Sequence, residues 1–319
     1  MTDQKPLPPS DANAAGVAFR NIKPSPSKIG FIGLGLMGSA TAHNLAVAGY
    51  SVKAYVRRPE QVEELEARGV KATLRMQDLF DCEIVVSMLP DDNAVRDVFF
   101  GNGYPTDALA NHLAPDSIHL SMSTISTVAA AKFASEHQRR GQGYVAAPVF
   151  GNPDAAKAKQ LAIIVAGPHI HCERCRPLIE ALGQIFVVGT DPEQANRVKL
   201  LGNMMTATSL EVLGEVTAVL RKCGQDPQQF VDIMTGTMFG SRVHKIYGKR
   251  IVAGDYAPGL AMPLALKDVR LALAEAERAG APMPSVSLVR DRMITAIARG
   301  HAELDWTALG LVASEEAGL

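Results

Sequence analysis

Apolar positions along the chain change their spacing once, near residue 190. Before that point they fall in short runs: Lys28 to Ile32, Ser51 to Val56, Cys82 to Leu89, Ser117 to Ser123, Tyr144 to Phe150, Leu161 to Ala166 and Gln184 to Val188. Runs this short, bounded by Gly, Pro, Asn and Ser, predict buried β-strands. Segments of helical spacing, such as Ser39 to Ala48 and Val128 to Arg140, lie between them. Strands alternating with helices predict an open parallel sheet with crossover helices. Beyond residue 190 only the helical period remains. It predicts helices over Pro227 to Met234, Arg242 to Val252, Met262 to Ala279 and Ser285 to Arg299.

One stretch joins the two regimes. Asn196 to Lys222 (NRVKLLGNMMTATSLEVLGEVTAVLRK) reads as a single helix, a rod of about 45 Å. Thr190-Asp191-Pro192-Glu193 offers a capping oxygen, an early proline and an acid at its start. Lys222 suits the last turn, and Gly224 the left-handed position beyond it. Val198, Leu200, Leu201, Met204, Met205, Leu210, Val212, Leu213, Val216, Val219 and Leu220 leave no wholly polar side, so the rod is expected to be buried all round. Lys199, Glu211 and Glu215 argue against a membrane span. One small helical domain offers too little cover for such a rod, which predicts a homodimer or homotetramer.

Composition narrows the field. Lys+Arg of 32 against Asp+Glu of 33 gives a net charge of −1 over 319 residues. That balance leaves no basic footprint for nucleic acid. Residues 1–27 hold Pro, Ser, Asp and Asn but no apolar signal region, so they are expected to form a disordered tail, with the cytoplasm as the default compartment. His169, His171, Cys172 and Cys175 cluster in a way that suggests zinc. A structural zinc site takes ligands from a second element, and none is apparent. The same stretch fits an amphipathic helix with Cys172, Cys175, Leu178, Ile179 and Leu182 inward, so no metal is expected.

Gly33-Leu34-Gly35-Leu36-Met37-Gly38 sits between the first strand and the first helix. A lone GxGxxG is a weak signal, but a strand–turn–helix setting is the context that gives it meaning. Gly33 allows the tight turn, Gly35 lets backbone approach a pyrophosphate, and Gly38 lets helix and strand pack closely. Amides at the helix start then face the phosphate charge. At the end of the next strand stand Arg57 and Arg58, with no acid before Glu60. Two guanidiniums suit a 2′-phosphate and an acid would repel it, so NADP(H) is expected over NAD(H). The fold class that follows is α/β: a Rossmann dinucleotide-binding domain over 28–190, then an all-α C-terminal domain over 191–319 that begins with the interdomain helix. In such a sheet ligands collect at the carboxyl ends of strands. Leu89-Pro90, Ser123-Thr124 and Pro148-Val149-Phe150-Gly151 therefore line the expected crevice.

Lys199 and Asn203, four residues apart, share one face of the rod. On spacing alone the plainer reading comes first: a lysine reaching solvent and a satisfied core amide. The sharper reading is an acid/base lysine at a cleft.

These pieces in this order resemble the β-hydroxyacid dehydrogenase family of the 6-phosphogluconate dehydrogenase superfamily, from about Lys28 to Trp306. GFIGLGLMG is similar to the family's cofactor loop, and Leu89, Pro90 and Asn93 to the segment along the cofactor. Ser123-Thr124 resembles the pair that meets substrate carboxylate and nicotinamide. VKLLGN resembles the catalytic segment, which implies Lys199 as the catalytic lysine with Asn203 its companion. Leu266-Lys267-Asp268 resembles the late motif whose lysine reaches the cofactor. The chain departs from the family where Asp-Ala-Pro-Val-Ser-Gly-Gly is usual: it has Ala146-Ala147-Pro148-Val149-Phe150-Gly151-Asn152. Phe150, Gly151 and Asn152 are thus expected at the substrate with altered size and polarity, and Ser121 stands where an acid is usual. The resemblance implies reversible hydride transfer between nicotinamide and a small aldehyde or keto acid, with Lys199 moving the proton. Two rival readings stay open: an imine reductase on the same plan, and a non-catalytic NADP-binding sensor or scaffold.

Overall fold

The computed structural model describes residues 28–101 and 108–319; the tail expected over residues 1–27 lies outside them. Its first half runs β1 (Lys28–Ile32), α1 (Leu36–Val47), β2 (Ser51–Tyr55), α2 (Glu60–Glu66), β3 (Lys71–Thr73), β4 (Ile84–Ser87) and α3 (Asp92–Phe100). It continues through β5 (Ile118–Ser121), α4 (Thr127–Gln138), β6 (Gly143–Ala146), β7 (Val149–Phe150), α5 (Pro153–Lys157), β8 (Leu161–Ala166), α6 (His169–Glu180) and β9 (Gly183–Gly189). The strands lie in the order β3-β2-β1-β4-β5-β6-β8-β7, with β9 beside β8.

From β3 to β6 every pairing is parallel, as the alternation predicts. Beyond β6 the sheet is mixed: β8 runs antiparallel to β6 and β7 and parallel to β9. The strand expected over Tyr144 to Phe150 is two strands, broken at Ala147-Pro148. Proline brings no N–H to a ladder, and the carbonyl of Pro148 instead accepts from the amide of Ile164 at 2.9 Å. On the inner face of α6, Cys172, Cys175, Leu178 and Ile179 are buried.

Polar side chains cross the centre of this sheet in single file. Ser87 Oγ lies 2.8 Å from Nε2 of His119, and Nδ1 of His119 lies 3.0 Å from Nε2 of His137. Nδ1 of His137 is 2.8 Å from Oε1 of Gln142, whose Nε2 donates to the carbonyls of Ala110 and Leu113, both at 2.9 Å. Phe99 stacks on His119 with ring centroids 3.6 Å apart.

The rod is α7, Glu193–Lys222, 30 residues long. No side-chain oxygen caps its start at Pro192; Gln194 reaches back instead and accepts from the Asp191 amide at 3.1 Å. Its end is as expected: Gly224 adopts φ +70, with Gly224 N–H bonded to the Arg221 carbonyl and Gln225 N–H to that of Leu220, a Schellman closure. Then follow α8 (Pro227–Gly236), α9 (Arg242–Ala253), α10 (Met262–Arg278), α11 (Pro284–Ala298) and α12 (Leu309–Glu316). Leu200, Met204 and Leu210 of the rod enter one core with Ile251, Met262, Val269, Met293, Leu309 and Val312.

The rod is not buried all round. Val198, Leu201, Met205, Val212 and Val219 are exposed, Met205 by 76%. Their spacing of three, four and seven residues makes one stripe along the helix. The helices after the rod and the elements of the first half cover its other sides, and none of the described residues covers this one.

Glu275 on α10 fastens the two halves. It accepts from Thr127 Oγ1 on α4 and from Arg197 Nε on α7, both at 2.6 Å, and from Arg278. Burial works to raise its pKa, but the Arg278, Thr127 and Arg197 hydrogen bonds overcome it and hold the carboxyl at about 2, against 4.5 for an ordinary glutamate. A pKa depressed in the folded state contributes stability that is complete above 4.5 and lost as pH falls through about 2. Glu275→Gln should therefore lower the urea unfolding free energy by about 2 kcal/mol at neutral pH and flatten its fall between those two values. An unchanged acid limb would show that the clamp contributes nothing.

Candidate active site

The glycine turn is built to leave one face bare. Gly33 takes φ +97, and a Cβ there would collide with the carbonyl oxygen of Met88. A Cβ on Gly38 would collide with the carbonyl of Gly33, whereas one on Gly35 would meet nothing within 4 Å. Gly33 and Gly38 thus close the turn against its own backbone, and Gly35 opens it to solvent. Gly35 is also the N-cap of α1, and no side chain caps that first turn. Leu34 is buried, Met37 half-buried and Leu36 exposed. Open backbone and uncapped amides at a helix start fit a pyrophosphate. Arg57 and Arg58, just beyond β2, are exposed, and neither has a side-chain partner among the described residues.

The amine of Lys199 is buried on the second turn of α7. It donates to Oδ1 of Asn203 at 2.9 Å, and Nδ2 of Asn203 donates to Oδ2 of Asp268 at 2.7 Å. These two bonds fix which way the Asn203 amide faces. Lys267, next to Asp268 on α10, points towards the sheet and donates to the carbonyls of Pro90 at 2.7 Å and Thr124 at 2.5 Å. Its Nζ also lies 3.0 Å from Oδ1 of Asp268. That oxygen has no hydrogen-bond partner, so the contact is one of charge.

Burial is the main reason the Lys199 pKa falls from 10.5 to about 8. The charge of Asp268 pulls it back up, and that of Lys267 pushes it down. The ring of Phe150 covers the amine from β7, its centroid 4.6 Å from Nζ.

The glycine turn and the lysine chain share one segment. Gly33 packs on the Met88 carbonyl, and Lys267 binds that of Pro90, two residues on. Lys199, Asn203, Phe150, Lys267, Pro90 and Thr124 are thereby joined through named contacts. Other residues singled out from the sequence serve the backbone. Ser123 Oγ accepts from the Leu89 amide at 2.9 Å and donates to the Ser87 carbonyl at 3.4 Å, tying β4 to β5. Asn152 caps α5 through the Ala155 amide at 2.9 Å. Asn93 is exposed on α3 and accepts from Arg96 at 2.8 Å, while Gly151 is exposed at φ +145. Two residues of the site were not on the list drawn from sequence. Asp268 anchors Asn203, and its position beside Lys267 was the available signal. Gly202 underlies Phe150, and a glycine inside a long helix was its signal.

A bare glycine turn at a helix start, joined through one segment to a buried amine, fits a dinucleotide-binding α/β protein. Comparison with known proteins makes this specific. Residues 28–189 match the NAD binding domain of 6-phosphogluconate dehydrogenase, and residues 194–312 match the NAD-binding domain of NADP-dependent 3-hydroxyisobutyrate dehydrogenase. "Uncharacterized oxidoreductase YfjR" of Bacillus subtilis (strain 168) is 40% identical over 286 residues, covering 88% of this chain and 98% of that protein. The 2-hydroxy-3-oxopropionate reductase of Escherichia coli (strain K12) is 31% identical, covering 88% and 95%. In fold, the crystal structure of 3-hydroxyisobutyrate dehydrogenase (ygbJ) from Salmonella typhimurium superposes with a TM-score of 0.82 at 22% identity, covering 90% of this chain and 99% of that one. The chain belongs to the 3-hydroxyisobutyrate dehydrogenase family, with its 6-phosphogluconate dehydrogenase type of nucleotide domain. It is an NAD(P)-binding oxidoreductase of the hydroxy-acid dehydrogenase type.

Proposed function

We propose that this chain moves a hydride between NADP(H) and a small aldehyde or keto acid, or the matching β-hydroxy acid, with Lys199 as general acid and base. The observation that carries the reading is the buried amine of Lys199, held by Asn203 and Asp268 beside the segment on which the glycine turn packs. Nicotinamide, when bound, supplies or accepts the hydride. Lys199 as ammonium donates a proton to the substrate oxygen in reduction, and as amine it takes the hydroxyl proton in oxidation. A pKa of about 8 lets one group serve both directions near neutral pH. Asn203 holds the amine in register. With the Ser123 hydroxyl engaged by Leu89 and Ser87, the exposed backbone at Gly151 and Asn152 is the proposed contact for a substrate carboxylate.

The unpartnered guanidiniums of Arg57 and Arg58 support NADP(H) over NAD(H), because each can place charged donors on a 2′-phosphate. The exposed stripe of Val198, Leu201, Met205, Val212 and Val219 supports a homodimer or homotetramer, a second copy supplying the cover that the described residues do not give. Among the described residues no helix is long and apolar enough to cross a membrane, and the four cysteines are free; the proposed compartment is the cytoplasm.

Four measurements test these points. Lys199→Met should leave NADPH affinity nearly intact and lower turnover about 100-fold or more, with unchanged turnover removing the lysine from the chemistry. In the wild type, reduction should fall and oxidation should rise as pH passes through about 8, whereas parallel profiles would contradict a single amine serving both. Arg57→Ala with Arg58→Ala should raise the KM for NADPH about 10-fold or more and barely move that for NADH; equal losses would mean the arginines do not read the 2′-phosphate. Sedimentation velocity should find the wild type assembled and Met205→Asp dissociated, and a monomeric wild type would refute the assembly.

A further inference from the structure

The side chain of Phe150 leaves β7 and lies across α7. A Cβ added to Gly202 would collide with the tip of the ring and come within 2.7 Å of its Cε1. Only glycine leaves the groove that the ring fills, although glycine is otherwise unfavourable inside a helix. One turn back on the same helix, Lys199 presents its amine to the ring face, 4.6 Å from the centroid. Asn203 takes one N–H of that amine, and the ring walls off another side. A reacting oxygen that meets the amine must therefore bring the rest of its molecule up to an aromatic surface. An alkyl or aryl group gains by burying itself there. A hydroxyl would exchange water for a ring that is a poor acceptor, and an ammonium would meet the charge of Lys199, which already holds the ring face.

We infer that Phe150, seated on Gly202, determines specificity at this site, selecting β-hydroxy acids and their aldehydes that carry an alkyl or aryl group on the carbon next to the reacting one, over those that carry a hydroxyl or amino group. The inference rests on the reading of Lys199 as the group that meets the reacting oxygen. Phe150 itself exchanges no proton; it decides what lies beside the amine.

The test uses a matched set of acids and the NADP⁺-loaded protein: 3-hydroxyisobutyrate with its methyl group, the benzyl analogue, and glycerate with a hydroxyl in the same place. Thermal-shift titration should show the methyl and benzyl acids binding about 10-fold tighter than glycerate. Phe150→Ser should narrow that gap to about 2-fold or less, by admitting water and a hydroxyl where the ring stood. Gly202→Ala should narrow it likewise by displacing the ring, and should add nothing in the Phe150→Ser background. Equal affinities in the wild type, or a preference that survives Phe150→Ser, would overturn the inference. NADPH formation is followed in parallel. Acids that bind with this preference and are never oxidised would remove hydride transfer from the site and leave the preference intact.

Discussion

Asn203 commits both ends of its amide inside the protein, accepting from Lys199 and donating to Asp268, and the shape of the crevice follows from that. The two bonds join α7 to α10 across a buried interface. They also keep a lysine amine from doing what its length allows, which is to fold outward and hydrate. Were the amide turned over, two donors would face each other at Lys199 and two acceptors at Asp268. The arrangement has one sense only, and the amine points where that sense puts it.

The same helix is fixed to the sheet at two heights. Lys267 reaches the carbonyl ends of β4 and β5 through Pro90 and Thr124, and Glu275 holds the start of α4 through Thr127. A helix held at two points resists rocking about either one. The distance between the glycine turn and the amine is thus set by the protein itself.

The parts of this structure that depend on near neighbours were legible in the sequence. Gly33 to Gly38 announce a turn because their spacing between a strand and a helix is local, and Gly38 answers to the Gly33 carbonyl five residues back. Lys199 and Asn203 meet because four residues are one helical turn, and Gly224 ends the rod by local hydrogen bonds. What escaped depends on distant strands or on what lies outside the chain. The antiparallel return of β7 onto β8 is decided by pairing partners that the period of either strand does not name. The bonds of the Ser123 hydroxyl to the Leu89 amide and the Ser87 carbonyl were not legible either, because nothing local names those partners. The stripe from Val198 to Val219 was read as buried because apolar character states a need for cover, which none of the described residues supplies.

The single file through the middle of the sheet has a consequence of its own. Gln142 gives both its N–H groups to carbonyls, so its oxygen must receive a proton from His137, His137 must receive one from His119, and His119 one from Ser87. Each imidazole holds a single hydrogen on a predetermined nitrogen, and burial keeps both rings uncharged, His137 down to about 4 and His119 well below its ordinary value. A proton arriving on Nε2 of His137 would set two N–H groups head to head with no solvent to part them, whereas one on Nε2 of His119 would meet the Ser87 oxygen, which can turn to accept it. The hydrogens along these strands thus stand in a one-way queue, its direction set at the Gln142 end.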